Sequence, residues 1–323
     1  MLSEFELIER YFTRRYPGII LGAGDDAALV QPRAGMELAI STDMLVSGRH
    51  FFADADPQKL GYKALAINLS DMAAMGATPR WVVLSLALPD PIVAAHEQWL
   101  QAFADGFHEL AEAHRVALVG GDTTGGPLNI CATILGEVPR GKALRRSGAR
   151  PGDDIWVSGE IGNAALALAH EQGRLMLEPG ETAHCMAALH LPVPRVTLGQ
   201  RLIGLARSAI DISDGLLADL GHVLECSNVG GIIRTNEIHC SPAMKRYLPQ
   251  QVGLECLLAG GDDYEICFTA PESRRAMMRI LSEELEIPLT RIGKIVKEKG
   301  LVVLDGDGKT VNMESGGYDH FRK

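Results

Sequence analysis

Aromatic residues make up only 5% of this 323-residue chain, so its cores must be filled by Ala, Leu, Val, Ile and Met within an apolar content of 46%. No apolar run approaches the roughly 20 residues that span a bilayer. The first residues, MLSEFELIERYF, are acidic where a secretory signal would be basic and then apolar. Positive charge is also short. Lys and Arg number 31 against 41 Asp and Glu, a net charge of -10, which excludes a broad nucleic-acid surface. The six cysteines, Cys131, Cys185, Cys226, Cys240, Cys256 and Cys267, form no C-x-x-C pair. Lying mostly in apolar stretches, they read as reduced thiols of a cytosolic protein. The chain has no Walker A sequence, kinase catalytic loop, H-E-x-x-H, G-x-S-x-G or EF-hand loop. Its ten histidines lack zinc spacing.

What is present is an alternation of helical and strand patterns. Residues 3–16 read as an amphipathic helix stopped by Pro17-Gly18, and Met36 opens a strand through Thr42. Asp56-Pro57 starts a long helix. Strands are expected at 81–88, 116–119 and 128–138, with a helix at 92–114. A polar connection, 139–154, carries Arg140, Lys142, Arg145, Arg146 and Arg150. It divides the chain into domains 1–139 and 140–323. The second half alternates again: strands near 155–158, 208–212, 230–235, 264–269, 288–296 and 301–304, with helices in 161–207, from Asp214, and at 272–284. The class is mixed α/β. Two phrases recur: Asn68-Leu69-Ser70-Asp71 precedes Gly120-Gly121-Asp122, and Asp211-Ile212-Ser213-Asp214 precedes Gly260-Gly261-Asp262. Duplication of one fold unit would produce them, and so would chance.

The segment Gly22-Ala23-Gly24-Asp25-Asp26-Ala27 fits G-x-G-x-x-A. A dinucleotide loop would need a full helix after it, and Pro32 leaves no room. Its two carboxylates would also repel a pyrophosphate. A solvated turn and a carboxylate loop facing a divalent cation both remain. Aspartates flanked by Gly, Ser or Thr recur as Asp43, Asp71, Asp122, Asp211 and Asp214. Each alone serves equally as a cap or turn former. Asp71 differs, because it continues the helical stripe of Leu60, Ala64 and Ile67. A carboxylate on a buried face is costly unless it is ion-paired or bound to metal, and with no Arg or Lys on that stripe to pair with, a metal site is the better reading. Many carboxylates without a dedicated nucleophile suit phosphoryl transfer, where positioning and charge neutralisation supply most of the rate.

Gly24-Asp25-Asp26, Ser41-Thr42-Asp43, Gly48-Arg49-His50-Phe51, Asn68-Leu69-Ser70-Asp71 with Met75-Gly76-Ala77, and Gly120-Gly121-Asp122-Thr123-Thr124 occur in that order. Arg146-Ser147-Gly148-Ala149, Pro151-Gly152-Asp153, Asp211-Ile212-Ser213-Asp214-Gly215-Leu216, Gly260-Gly261-Asp262-Asp263-Tyr264-Glu265 and the tail Gly317-Tyr318-Asp319-His320-Phe321 follow. Nearly end to end, the chain resembles the thiamine-monophosphate kinase family, in the superfamily of aminoimidazole ribonucleotide synthetase and selenophosphate synthetase. The resemblance implies two α/β domains, with the N-terminal domains of a homodimer pairing their sheets into a barrel. It implies transfer of the ATP γ-phosphate to thiamine phosphate with several Mg²⁺ ions, in the cytoplasm, with no nucleic-acid or membrane partner. It implies metal ligands Asp26, Ser41, Thr42, Asp43, Asp71, Asp122, Asp211 and Asp214. Asp43, Asp71 and Asp122 would be the catalytic set among them. Gly121, Asp122, Arg146 and Ser213 would contact ATP, and His50, Asp262 and Tyr318 the thiamine phosphate. The family carries Glu where this chain has Asp262, and its ligand matches Asp26 rather than Asp25.

The acceptor in such a reaction is a phosphate oxygen already ionised near neutral pH, so no general base is required. Repulsion between two phosphates is the obstacle, and cations held by Asp43, Asp71 and Asp122 would relieve it. A sister synthetase activating another acceptor with ATP, a metal-dependent phosphohydrolase, and a non-catalytic metal-binding protein are the competing readings. Taken alone, Arg146 is equally a solvated cation, whereas His50 reads first as a structural histidine and Tyr318 as a half-buried tyrosine.

Overall fold

A computed structural model of the chain describes residues 3–14, 16–90, 92, 96–311, 313 and 317, with backbone only at 4, 5, 96 and 97. Among the described residues are ten α-helices and ten strands. They fall into two compact units, Met1–Met72 with Ala77–Gly141 and Ala73–Gly76 with Lys142–Lys323.

In the first unit, α1 (Glu4–Phe12) opens on a capping box. The Glu6 N–H donates to Ser3 Oγ at 3.3 Å, and the Ser3 N–H donates to the Glu6 carboxylate at 2.7 Å. It stops at Phe12, short of the expected residue 16. The sheet contains β1 (Met36–Val46), β2 (Thr78–Leu88), β3 (Ala117–Gly125) and β4 (Asn129–Pro139) in the order β1-β4-β2-β3, and β2 with β3 is its parallel pair. β3 runs six residues beyond the expected Val119. The glycines that suggest a loop are instead required by the sheet: a Cβ on Gly121 would lie 1.9 Å from the Leu84 carbonyl oxygen.

Two helices cover one face of this sheet's core. α2 (Pro57–Ala74) starts at its proline, with Asp56 Oδ1 accepting the Lys59 N–H at 3.0 Å. α3 (His96–His114) crosses it backbone against backbone. A Cβ on Gly61 would meet the Phe103 carbonyl oxygen at 2.0 Å, and one on Gly106 the Gln58 carbonyl oxygen at 1.9 Å. α2 is buried around most of its circumference, through Leu60, Ala64, Leu65, Ala66, Ile67, Leu69 and Met72, rather than along the single expected stripe.

The sheet's inner face buries Ala39, Leu45, Leu84, Leu86, Ile130, Ala132 and Ile134. On the outer face, Tyr16, Ile19, Ala28 and Val30 of the N-terminal segment pack against Trp81, Ala117 and Val119, with Val83 and Leu135. The β1 side stays open, with Leu38, Ile40 and Met44 exposed by 40%, 63% and 54%. No helix follows the Gly22–Ala27 segment; residues 28–35 run as bridge, extended chain and turn, as Pro32 requires.

The second unit holds β5 (Asp154–Ser158), β6 (Ser208–Asp211), β7 (Gly230–Arg234), β8 (Ile266–Ala270), β9 (Leu289–Val296) and β10 (Gly300–Leu304). Their order is β10-β7-β9-β5-β8-β6, antiparallel except for β10 with β7. Its helices are α4 (Asn163–Glu171), α5 (Pro179–His190), α6 (Val196–Leu202), α7 (Leu216–Ser227), α8 (Pro242–Tyr247), α9 (Gln251–Ala259) and α10 (Arg275–Leu285). The core joins Ile155, Ile210 and Ile292 of the sheet to Leu166, Leu216, Leu220, Met244 and Leu257 of the helices. α8 and α9 were not expected from the pattern: 242–247 is short, and α9 is apolar on most sides and gives no clean period. The recurring phrases are not structural equivalents. Asn68–Asp71 lies inside a helix and Asp211–Asp214 leaves a strand, while Gly120–Asp122 is strand and Gly260–Asp262 follows a helix.

Candidate active site

In the first unit, strand alternation puts Ser41 and Asp43 on one face of β1 and Thr42 on the other. Ser41 Oγ donates to Asp71 Oδ2 at 2.6 Å, which gives the half-buried α2 carboxylate a partner. Ser41, Asp43 and Asp71 therefore come from two elements to one region. Thr42 faces away. Its hydroxyl donates to the Ala132 carbonyl at 3.1 Å and shares a hydrogen bond with the Thr133 hydroxyl at 2.9 Å. A ligand from Thr42 would thus be its main-chain carbonyl.

Asp122 is exposed on β3, opposite Ser85 of β2, with Gly121 beside it in the ladder. The exposed Asp26 lies in the segment packed on this strand, where a Cβ on Gly22 would come 3.9 Å from the Val119 carbonyl oxygen. The Asp26 N–H donates to Asp25 Oδ1 at 2.9 Å, so Asp25 is a turn former and Asp26 keeps its carboxylate clear of that bond. After β1, the Val46 N–H donates to His50 Nδ1 at 2.9 Å. The neutral ring then carries its proton on Nε2, a donor suited to an anion.

In the second unit, the loop after β6 is stitched to the loop after α9. The Asp262 N–H donates to the Ser213 carbonyl at 2.9 Å, the Tyr264 N–H to the Ile212 carbonyl at 2.8 Å, and the Ile212 N–H to the Glu265 carbonyl at 2.8 Å. A Cβ on Gly261 would stand 2.3 Å from the Ser213 carbonyl oxygen. The buried Asp211 and the half-buried Ser213, Asp214 and Asp262 are therefore neighbours. The exposed Arg146 belongs to a segment beside β6, held where the Ala209 N–H donates to the Arg145 carbonyl at 2.9 Å. A Cβ on Gly317 would lie 2.9 Å from the Asp214 carbonyl oxygen, so the tail touches this loop; Tyr318 itself is outside the described residues.

Two residues escaped the sequence reading. Asp219 Oδ2 accepts the N–H groups of Ser213, Asp214 and Gly215 at 3.0, 3.0 and 3.1 Å. Burial pushes its carboxyl up to about 7 against those hydrogen bonds, and the nearby Asp214 adds to the rise. An acid in the first turn of a helix was the available signal. Tyr264 is the other: its hydroxyl donates to Asp262 Oδ1 at 2.9 Å. The Ser213 N–H and carbonyl are both occupied, which leaves the Ser213 hydroxyl as its remaining polar group.

Among the described residues, no group of three or more His, Cys, Asp or Glu stands ready to hold a metal ion. The donors present suit one all the same. Asp43, Asp71 and Ser41 in one unit, and Asp211 and Asp214 in the other, offer hard oxygen with no thiolate or imidazole. That is the chemistry of Mg²⁺, which keeps waters and substrate phosphates among its ligands.

These two units define a protein of the AIR synthase type. The description AIR synthase related protein, N-terminal domain, matches residues 24–138, and the C-terminal domain matches residues 150–306. Thiamine-monophosphate kinase of Escherichia coli K12 is 45% identical over 99% of this chain and 98% of its own. The solved thiamine-monophosphate kinase of Stenotrophomonas maltophilia K279a is 48% identical, with a TM-score of 0.84 over 91% of this chain and 93% of that one. The solved complex of AaThiL with AMPPCP and TMP is 29% identical, with a TM-score of 0.77 over 98% and 96%. The chain belongs to the thiamine-monophosphate kinase family of the AIR synthase superfamily.

Proposed function

We propose that the protein transfers the γ-phosphate of ATP to thiamine phosphate, giving thiamine diphosphate, by direct in-line displacement. The observation that carries this is end-to-end likeness at 45% identity to a thiamine-monophosphate kinase. A neighbour with matching architecture accommodates an ATP analogue together with TMP, as its description states.

In this reading, Ser41, Asp43 and Asp71 on one face of the first unit's sheet, and Asp122 on the other with Asp26 and the Thr42 carbonyl, would hold Mg²⁺, as would Asp211 and Asp214 of the second unit. Mg²⁺ bound by these residues would supply neutralisation of phosphate charge. The chain's own groups orient the reactants. Ser41 fixes the Asp71 rotamer, and Gly121 lets the β3 backbone stay flush beside Asp122. The Ser213 hydroxyl and Arg146 meet the nucleotide, and His50 Nε2 donates to the acceptor phosphate. Asp262, steered by Tyr264, and Tyr318 contact the thiamine rings, whose thiazolium is cationic. The acceptor oxygen is ionised, so no side chain here has to remove a proton.

The open β1 face with Leu38, Ile40 and Met44 fits pairing of two copies through their four-stranded sheets into a barrel. Six free thiols suit a reducing cytoplasm, and no described helix is long and apolar enough to cross a membrane. In the same reading, 1–139 binds metal and ATP and dimerises, and 140–323 supplies Asp211, Ser213 and Asp214.

The test is mass analysis of products from ATP, Mg²⁺ and thiamine phosphate. Thiamine diphosphate with ADP supports the reading. ATP turnover driven by another acceptor would point to a sister synthetase, and phosphate released without ATP to a phosphohydrolase.

A further inference from the structure

The loop Ser213–Gly215 carries one proposed ligand, Asp214, and follows another, Asp211. Its turn uses a conformation that glycine reaches and other residues rarely do: Gly215 has φ 113°. Three N–H groups in a row, those of Ser213, Asp214 and Gly215, turn inward onto a single oxygen of Asp219. The Asp219 N–H donates back to the Gly215 carbonyl at 3.0 Å, so loop and first helical turn of α7 are locked reciprocally. The far side of the loop is pinned by the Asp262 N–H on the Ser213 carbonyl.

Asp219 is 3% exposed, and no Lys or Arg pairs with it among the described residues. A buried carboxylate beside another carboxylate is a costly way to close a turn. A neutral side chain would cap one or two N–H groups without that cost. What the carboxylate alone provides is strong acceptance of three N–H groups by one small atom. With the loop backbone turned inward, the side chains of Asp214 and Ser213 are what the loop presents to a ligand.

We propose that Asp219 is a positioning residue, which holds the Ser213–Gly215 loop in the conformation from which Asp211 and Asp214 bind a divalent cation. It touches neither cation nor substrate. The proposal rests on the assignment of Asp211 and Asp214 as ligands, and its test separates the two.

Mn²⁺ serves as the probe, titrated without nucleotide into the full-length protein and followed by electron paramagnetic resonance. Asp214→Asn, Asp219→Ala and Asp219→Asn are compared with wild type, and each is melted in parallel. Asp219→Ala is expected to weaken Mn²⁺ binding by about tenfold, the size seen when groups that orient metal ligands are removed. Asp219→Asn keeps an acceptor without the charge and is expected to lose only about threefold. Weakened binding by Asp214→Asn with wild-type binding by a folded Asp219→Ala overturns the positioning role and spares the ligand assignment. Wild-type binding by Asp214→Asn removes the ligand assignment and the proposal with it. A lower melting temperature for Asp219→Ala with unchanged Mn²⁺ affinity also overturns the proposal, since that is the signature of a purely structural role. If Asp219→Ala does not fold, Asp219→Asn decides: wild-type affinity overturns the proposal and a loss of about threefold supports it.

Discussion

The hydroxyl of Tyr264 reaches back two residues to the carboxylate of Asp262, 2.9 Å away, and both residues hold left-handed backbones, φ 51° and 68°. Such angles are strained for side chains other than glycine, though Asp tolerates them better than most. The strain persists because neighbours fix both residues. Tyr264 is buried, and its N–H and that of Asp262 are bonded to the loop after β6. The Asp262 carboxylate is thus held in place by a phenol.

Tyr264→Phe keeps the ring and removes that one bond. It is expected to raise KM for thiamine phosphate about fivefold, matching about 1 kcal/mol for a lost hydrogen bond, while kcat and KM for ATP change less. In an Asp262→Ala background the same substitution should add nothing further. Steady-state kinetics on the four proteins checks it, and additive effects would dissociate Tyr264 from Asp262.

Asp71→Asn preserves shape and the Ser41 contact but removes the charge. Turnover should fall by about a hundredfold or more, with the melting transition unchanged. Ser41→Ala should lose about tenfold, since it frees the Asp71 rotamer without removing a carboxylate. Wild-type turnover in Asp71→Asn would take Asp71 out of the site.

Ile40→Asp places a charge in the middle of the open β1 face, where Ile40 is 63% exposed. Sedimentation velocity should report a dimer for the wild-type chain and a monomer for Ile40→Asp. A variant that sediments as the wild type does would place the interface elsewhere.

Glu137 is buried on β4 and accepts the Arg33 N–H and Nε, both at 2.7 Å, with Arg80 nearby at 3.6 Å. Burial pushes its carboxyl up, but the Arg33 bonds and the two guanidinium charges outweigh that and hold it below the ordinary value. A carboxyl lowered in the folded state stabilises above its unfolded pKa of about 4.3, and that stability is lost as pH falls through the folded value. Glu137→Gln should therefore melt about 5 °C lower at pH 7. The gap should close below pH ~4. A gap of equal size at both pH values would show that charge is not the cause.

The sequence made the class, the long helix from Pro57 and most strands legible, because periodicity and proline or glycine boundaries are local signals. It shortened β3, since Gly120–Gly125 has the composition of a loop and only the neighbouring Leu84 backbone explains the glycines. It read one stripe on a helix that is buried nearly all round, because surrounding elements are invisible to a helical wheel. The carboxylates proposed for the site are named by their short motifs. Asp219 and Tyr264 were missed because their bonds, to backbone four to six residues back and to a side chain two residues back, depend on turn geometry that residue spacing does not encode. Thr42 shows the converse: its motif places it beside Ser41 and Asp43, while the pleat turns its side chain to the opposite face.

The helix crossing at Gly61 and Gly106 has a reach beyond the helices it joins. Asp71 is ten residues further along the same rigid rod, about 15 Å away at 1.5 Å per residue. With the carbonyls of Phe103 and Gln58 pressed where side chains would stand, that crossing works as a datum from which the carboxylate's height over the sheet is measured. One methyl group added at Gly61 would shift the datum. Its effect would surface as a catalytic defect in a place that no substrate ever visits.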